Sequence, residues 1–118
     1  MRWAALAGLL ALSACAGAAP PAATYSGIYR TGFETQAFWP ATGGGPYWVE
    51  GETRAMKDLD AAVRKHNGGS PWGGVRVEVR GVLSAPGKYG HVAAYERLLR
   101  VKRVVKSGPA DDDAGPRG

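Results

Sequence analysis

Thr53-Arg54-Ala55-Met56-Lys57-Asp58-Leu59-Asp60-Ala61-Ala62-Val63-Arg64-Lys65-His66-Asn67 describes a helix with one dry side. Ala55, Met56, Leu59, Ala62, Val63 and His66 fall at i, i+1, i+4, i+7, i+8 and i+11, a single stripe at helical period. Lys57, Asp58, Asp60, Arg64 and Lys65 take the opposite side, where Asp60 is placed to pair with Arg64 one turn later. Thr53 is expected to cap the first turn and Gly68 to stop the last one. His66, at the end of the helix, suits the negative pole of its dipole. Such a helix buries one face and solvates the other, so it needs a sheet to lie on.

Strands are expected on both sides of it. Gly27-Ile28-Tyr29-Arg30 and Phe33 to Trp39 are rich in aromatic and branched residues, with Gly32 at a bend or bulge between them. Pro40 to Pro46, containing Gly43-Gly44-Gly45, reads as a loop, and Tyr47-Trp48-Val49-Glu50 as a third strand. Beyond the Gly68-Gly69-Ser70-Pro71 turn, Val75, Val77 and Val79 alternate with Arg76, Glu78 and Arg80, the clearest period of two in the chain. Gly81 to Ser84 extend that strand. A long loop, Ala85 to Ala94, leads to a last strand from Tyr95 to Lys106. There the alternation set by Leu99 and Val101 breaks at Arg103 and resumes at Val104, which predicts a bulge near Lys102-Arg103.

Three strands, one helix and two strands is the element order of the OB-fold, a five-stranded, partly open Greek-key barrel. The expected fold is therefore mainly β with one helix, an OB-like barrel plugged between strands three and four. An α+β sheet covered by a single helix is the alternative.

The chain opens differently. Arg2 precedes an apolar run from Trp3 to Leu12, followed by Leu12-Ser13-Ala14-Cys15 and the only cysteine in the sequence. The run is about half the roughly 20 apolar residues that a membrane span requires, so residues 1–14 read as a secretory signal peptide. The cleavage region resembles the lipobox of bacterial lipoproteins. That resemblance implies that Cys15 becomes a lipidated first residue. With Ala16 rather than aspartate behind it, the implied address is the periplasmic face of the outer membrane in the cell envelope. Residues 15–24, with Pro20-Pro21, would be a tether. Residues 25–106 would form the domain, and 107–118, with Asp111-Asp112-Asp113, a disordered acidic tail. Gly27-Ile28-Tyr29 with Gly32-Phe33-Glu34, and Gly87-Lys88-Tyr89-Gly90-His91 with Tyr95-Glu96-Arg97, are similar to segments of small bacterial lipoproteins. That likeness implies fold and export and brings no known activity.

The formal net charge is +5, concentrated in Arg97, Arg100, Lys102, Arg103 and Lys106. In a cytoplasmic protein such a cluster would point to nucleic acid. In an exported one the available anions are lipid headgroups, cell-wall polymers and acidic protein patches, so nucleic acid is not an expected partner.

Catalytic patterns are missing. His66 and His91 lie in different elements and make no metal site, and neither a metal nor a cofactor is expected. Ser26, Ser70, Ser84 and Ser107 lack the Gly-x-Ser-x-Gly setting. Gly87-Lys88 continues into Tyr89, not the serine or threonine of a phosphate loop. Glu34, Glu50, Glu78 and Glu96 show no spacing that selects a catalytic pair. A non-enzymatic function is expected.

Binding is the better-supported class, because Tyr29, Phe38, Trp39, Tyr47, Trp48, Trp72, Tyr89 and Tyr95 are many large rings for a small core. Trp39 and Trp72 stand beside prolines in turn contexts and are expected at the surface. With Tyr89 and His91 of the long loop they form the candidate contact set for an envelope protein or glycan. Arg97, Arg100, Lys102 and Arg103 form a candidate basic face toward anionic lipid, the alternative being a mainly structural envelope lipoprotein. Against recognition by Tyr89 and His91 stands a capping role, in which both fold back over the barrel.

Overall fold

A computed structural model describes residues 20–110. The expected signal segment, Cys15 and the acidic residues of the tail lie outside them. Five strands and one α-helix follow in the order β1 (Ala23–Gly32), β2 (Thr35–Pro40), β3 (Tyr47–Gly51), α1 (Thr53–His66), β4 (Gly73–Leu83) and β5 (Leu98–Pro109). A short 3-10 turn, His91–Ala93, sits between β4 and β5. The strands close into a barrel in the order β1-β2-β3-β5-β4, with β3 and β5 parallel and every other pair antiparallel. This is an OB-like barrel with its helix between the third and fourth strands. The alternative of a sheet merely covered by a helix does not hold.

The two strongest periodic signals build the core. Val75, Val77 and Val79 point inward from β4 and are buried, as are Leu99 and Val101 from β5 and Val49 from β3. Ala55, Leu59, Ala62 and Val63 of α1 are buried against them, the helix packing chiefly on β5 and also on β4 and β3. Met56 packs at the edge of this cluster. Tyr29 is enclosed in the same core, and burial, helped by the charge of Asp60, holds its phenol well above the ordinary phenol range.

The start of α1 departs from expectation. Thr53 is the first helical residue, not the cap, and Glu52 in the cap position makes no side-chain bond. The sheet itself starts the helix. Glu52 N–H donates to the Val101 carbonyl (3.2 Å), and the Glu52 carbonyl accepts from Met56 N–H (3.0 Å). At the other end Asn67 Nδ2 donates to the carbonyls of Val63 (2.8 Å) and Gly74 (2.9 Å), stapling the helix to the first residues of β4. Gly68 follows with φ +64°, the stop read from the sequence. The Asp60–Arg64 pair forms at 2.9 Å, as its spacing predicts.

Four other boundaries move. Phe33 does not open a strand. Gly32 pairs with Thr35, so Phe33 and Glu34 are the two-residue turn of a hairpin, with Glu34 at φ +56°. The last strand begins at Leu98 rather than Tyr95, because Tyr95 and Tyr89 bond backbone to backbone inside the preceding loop (2.8 and 3.1 Å). Strand pairing also claims residues assigned to the linkers. Ala23 and Thr24 face Gly81 and Arg80, and Ser107, Gly108 and Pro109 face Val77, Arg76 and Val75. The bulge expected near Lys102-Arg103 is present, since Arg103 and Val101 face the consecutive residues Arg80 and Gly81 and leave Lys102 over. A second bulge leaves out Val105 in the same way, and Val105 is exposed.

Candidate functional site

The tight β1–β2 hairpin gives Phe33 no core to enter, and its ring is 76% exposed. The segment entering β4 comes alongside, because Thr31 pairs with Gly73 and Thr31 Oγ1 donates to the Pro71 carbonyl at 2.7 Å. Ser70 Oγ folds that segment locally, accepting from Trp72 N–H (3.1 Å) and donating to the Trp72 carbonyl (3.0 Å). Trp72 is left 58% exposed.

The long β4–β5 connection reaches the same hairpin from the other side. Its own stem is a small ladder. Gly87 N–H donates to the Glu96 carbonyl (2.9 Å), the Tyr89–Tyr95 bridge follows, and Tyr89 Oη donates to the Ala85 carbonyl (2.9 Å). Trp48 of β3 supports it, with its ring 5.2 Å from that of Tyr95 and packed so closely on Gly90 that a Cβ there would enter the indole. At the tip His91 Nε2 reaches Glu34 Oε2 at 2.8 Å. The next residue, Val92, is 78% exposed.

Three loops therefore meet at one end of the barrel, and each brings one exposed apolar side chain: Phe33, Trp72 and Val92. Glu34, Val92 and Ala93, with φ of +56°, +51° and +55°, are the non-glycine residues with left-handed backbone among those described. All three sit here. Such conformations cost on the order of 1–2 kcal/mol per residue, and they concentrate where a structure commits a loop to one shape.

The sequence-derived candidates divide. Trp72 is at this end and exposed. His91 and Tyr89 are in the same loop, and each side chain has a partner within the chain, Glu34 for His91 and the Ala85 carbonyl for Tyr89. Trp39 is not a surface turn residue. It pairs with Ile28 inside the hairpin and is half-buried. Phe33 and Val92 escaped sequence reading. Phe33 looked like strand, and the only signal for Val92 was its place next to His91.

On the far side of the long loop lies an open cleft of about 620 Å³ walled by Pro46, Tyr47, Leu83, Tyr95, Glu96 and Arg97. Arg97 belongs to this cleft and not to a basic face. It is half-buried and its guanidinium donates to the Ser84 carbonyl at 3.1 Å. Arg100, Lys102 and Arg103 are exposed on the outside of β5. Their cross-strand neighbours bring in a further cation, because Arg103 faces Arg80. Arg80 in turn donates to Thr24 Oγ1 and to the Ala22 carbonyl, both at 3.3 Å.

Among the described residues no three His, Cys, Asp or Glu side chains come together as a metal site would require. No helix among them is long and apolar enough to cross a membrane. No family model, curated protein or solved structure matches this chain.

Proposed function

We propose that this protein is a non-catalytic binding module of the bacterial cell envelope. It is held through a lipidated Cys15 at the periplasmic face of the outer membrane and docks another envelope protein with its loop end. The observation that carries the reading is the convergence of Phe33, Trp72 and Val92 on three loops braced by Thr31–Pro71 and His91–Glu34. Exposed rings on a pre-shaped surface lose little entropy on docking and are typical anchors of protein interfaces. A glycan would need polar groups ranged around a ring. Phe33 and Val92 have none to offer, so a protein surface is the better fit. The support for the anchor is the Leu12-Ser13-Ala14-Cys15 sequence behind a short apolar run.

The test compares capture from envelope extract by the full-length protein with capture by a Phe33→Ser/Trp72→Ser variant. Recognition through the loop end predicts a protein retained by the first at high salt and lost by the second, with both melting alike. Equal capture by the two, or capture of cell-wall glycan alone, refutes the reading.

A further inference from the structure

We infer that the outer face of β4 and β5, formed by Arg80, Arg100, Lys102 and Arg103, is a second contact surface that lies on anionic phospholipid. The inference rests on the proposed anchor at Cys15.

Arg103 and Arg80 are directly opposed across the β4–β5 ladder, and Arg100 faces Val82 two steps along. Like charges placed directly opposite one another in a sheet are destabilising unless a counter-charge lies over them. The described residues supply little. Glu50 faces Arg100 across the β3–β5 ladder, but its carboxylate accepts from Trp48 Nε1 at 3.2 Å. Glu78, on the same strand as Arg80, lies 3.9 Å from Lys106. Arg100, Lys102 and Arg103 are in no ion pair among the described residues. The bulge that leaves Lys102 over puts an extra cation into the row instead of a cross-strand partner.

Position selects the counter-charge. Arg80 grips Ala22 and Thr24, so the stripe lies beside the point where the chain comes in from Cys15. Ala22 is seven residues beyond Cys15, and that length spans at most about 25 Å when fully extended. A lipid on Cys15 would hold the stripe close to the bilayer, where each Lys or Arg near an anionic surface contributes about 1 kcal/mol. A short tether and an unpaired basic row at its attachment point fit a phospholipid headgroup layer better than a distant polymer.

The experiment uses the mature protein extracted from membranes and reconstituted on vesicles of phosphatidylcholine, with or without phosphatidylglycerol. A water-soluble amine reagent then reports on Lys102, with Lys57 on the exposed side of α1 as internal reference. The stripe should slow Lys102 labelling severalfold relative to Lys57 on the anionic vesicles only. Salt at about 1 M, where the Debye length is about 3 Å, should abolish the protection, and so should Arg100→Glu/Arg103→Glu. An anchored chain whose Lys102 labels equally on both vesicles overturns the inference and leaves the anchor standing. A chain that carries no lipid overturns both. Protection that appears only after residues 111–118 are removed would show that the acidic tail, not lipid, is the counter-charge, and would also overturn it.

Discussion

Leu59→Ala tests whether α1 closes the barrel. Leu59 is 1% exposed and lies in the cluster with Val63, Val49 and Val101. Removing its branched end deletes about three carbon groups, worth about 2.5 kcal/mol in transfer free energy at about 0.8 kcal/mol each. If about 60 Å³ stays open, the cavity adds about 1.5 kcal/mol at about 24 cal/mol per Å³. The sum, about 4 kcal/mol, is a large share of the 5–15 kcal/mol that holds a typical domain together. It should lower the melting temperature by on the order of 20 °C, at about 4–8 °C per kcal/mol. Lys57→Ala, on the exposed side of the same turn, should stay within about 0.5 kcal/mol. Thermal unfolding followed by circular dichroism reads both. If Leu59→Ala does not fold, Leu59→Met keeps the volume and should cost less than about 1.5 kcal/mol. Equal melting of Leu59→Ala and Lys57→Ala would mean that the stripe is not buried, and the plugged barrel would fail with it.

Gly90→Ala should lower the melting temperature by several degrees and shift the tryptophan emission, because its Cβ would meet the Trp48 ring at φ +73°. Gly44→Ala, at φ +81° with nothing within 4 Å, should show only the backbone cost of about 1–2 kcal/mol, and identical behaviour of the two would remove Trp48 as the loop's support. Tyr29 predicts an alkaline effect. Its raised pKa contributes stability that is fully present below the unfolded value of about 10 and is lost as pH rises toward the folded value. Between pH 9 and 11 the urea midpoint of the wild type should therefore fall further than that of Tyr29→Phe, and parallel curves would contradict the burial of the phenol.

Periodicity carried most of the fold, and it failed where geometry is decided by pairing. Val75-Val77-Val79 and the Ala55-to-Val63 stripe each report burial through repetition, so strand, helix and barrel order were legible. The broken phase at Lys102-Arg103 was legible too, because a bulge is the cheapest way to keep Leu99, Val101 and Val104 on one side. Phe33 was misplaced because a hydrophobic residue in a two-residue turn has the same local signature as the start of a strand. Only the Gly32–Thr35 pairing reveals the difference. Tyr95 misled for the opposite reason, since its strand-like bonds are real but belong to a loop's private ladder with Tyr89. The candidate site suffered most. Trp72 was visible as an aromatic beside a proline, whereas the meeting of Phe33, Trp72 and Val92 depends on Thr31–Pro71 and His91–Glu34, contacts that join residues far apart in sequence. No local pattern encodes them.

Closure of the barrel also limits how a partner can be met. With β1 paired to β4 and β3 to β5, no strand has an edge free along its whole length, although β5 beyond Val101 pairs with β4 alone, and the exposed groups open to a partner are chiefly side chains. Two exposed groups qualify, and β1 separates them. Its first residues, Ala23 and Thr24, lie beside Arg80 and the basic row, and its last, Thr31 and Gly32, carry the Phe33 turn and the strand opening after Trp72. A strand of ten residues is about 30 Å long. A chain tethered and charge-held at the first end would therefore present the apolar end away from the membrane. The two surfaces then do not compete for one partner, and loss of the basic row should alter how the module lies on the bilayer without changing what its loops capture. If Arg100→Glu/Arg103→Glu abolished capture by the loop end in detergent, where no bilayer is present, that separation would be wrong.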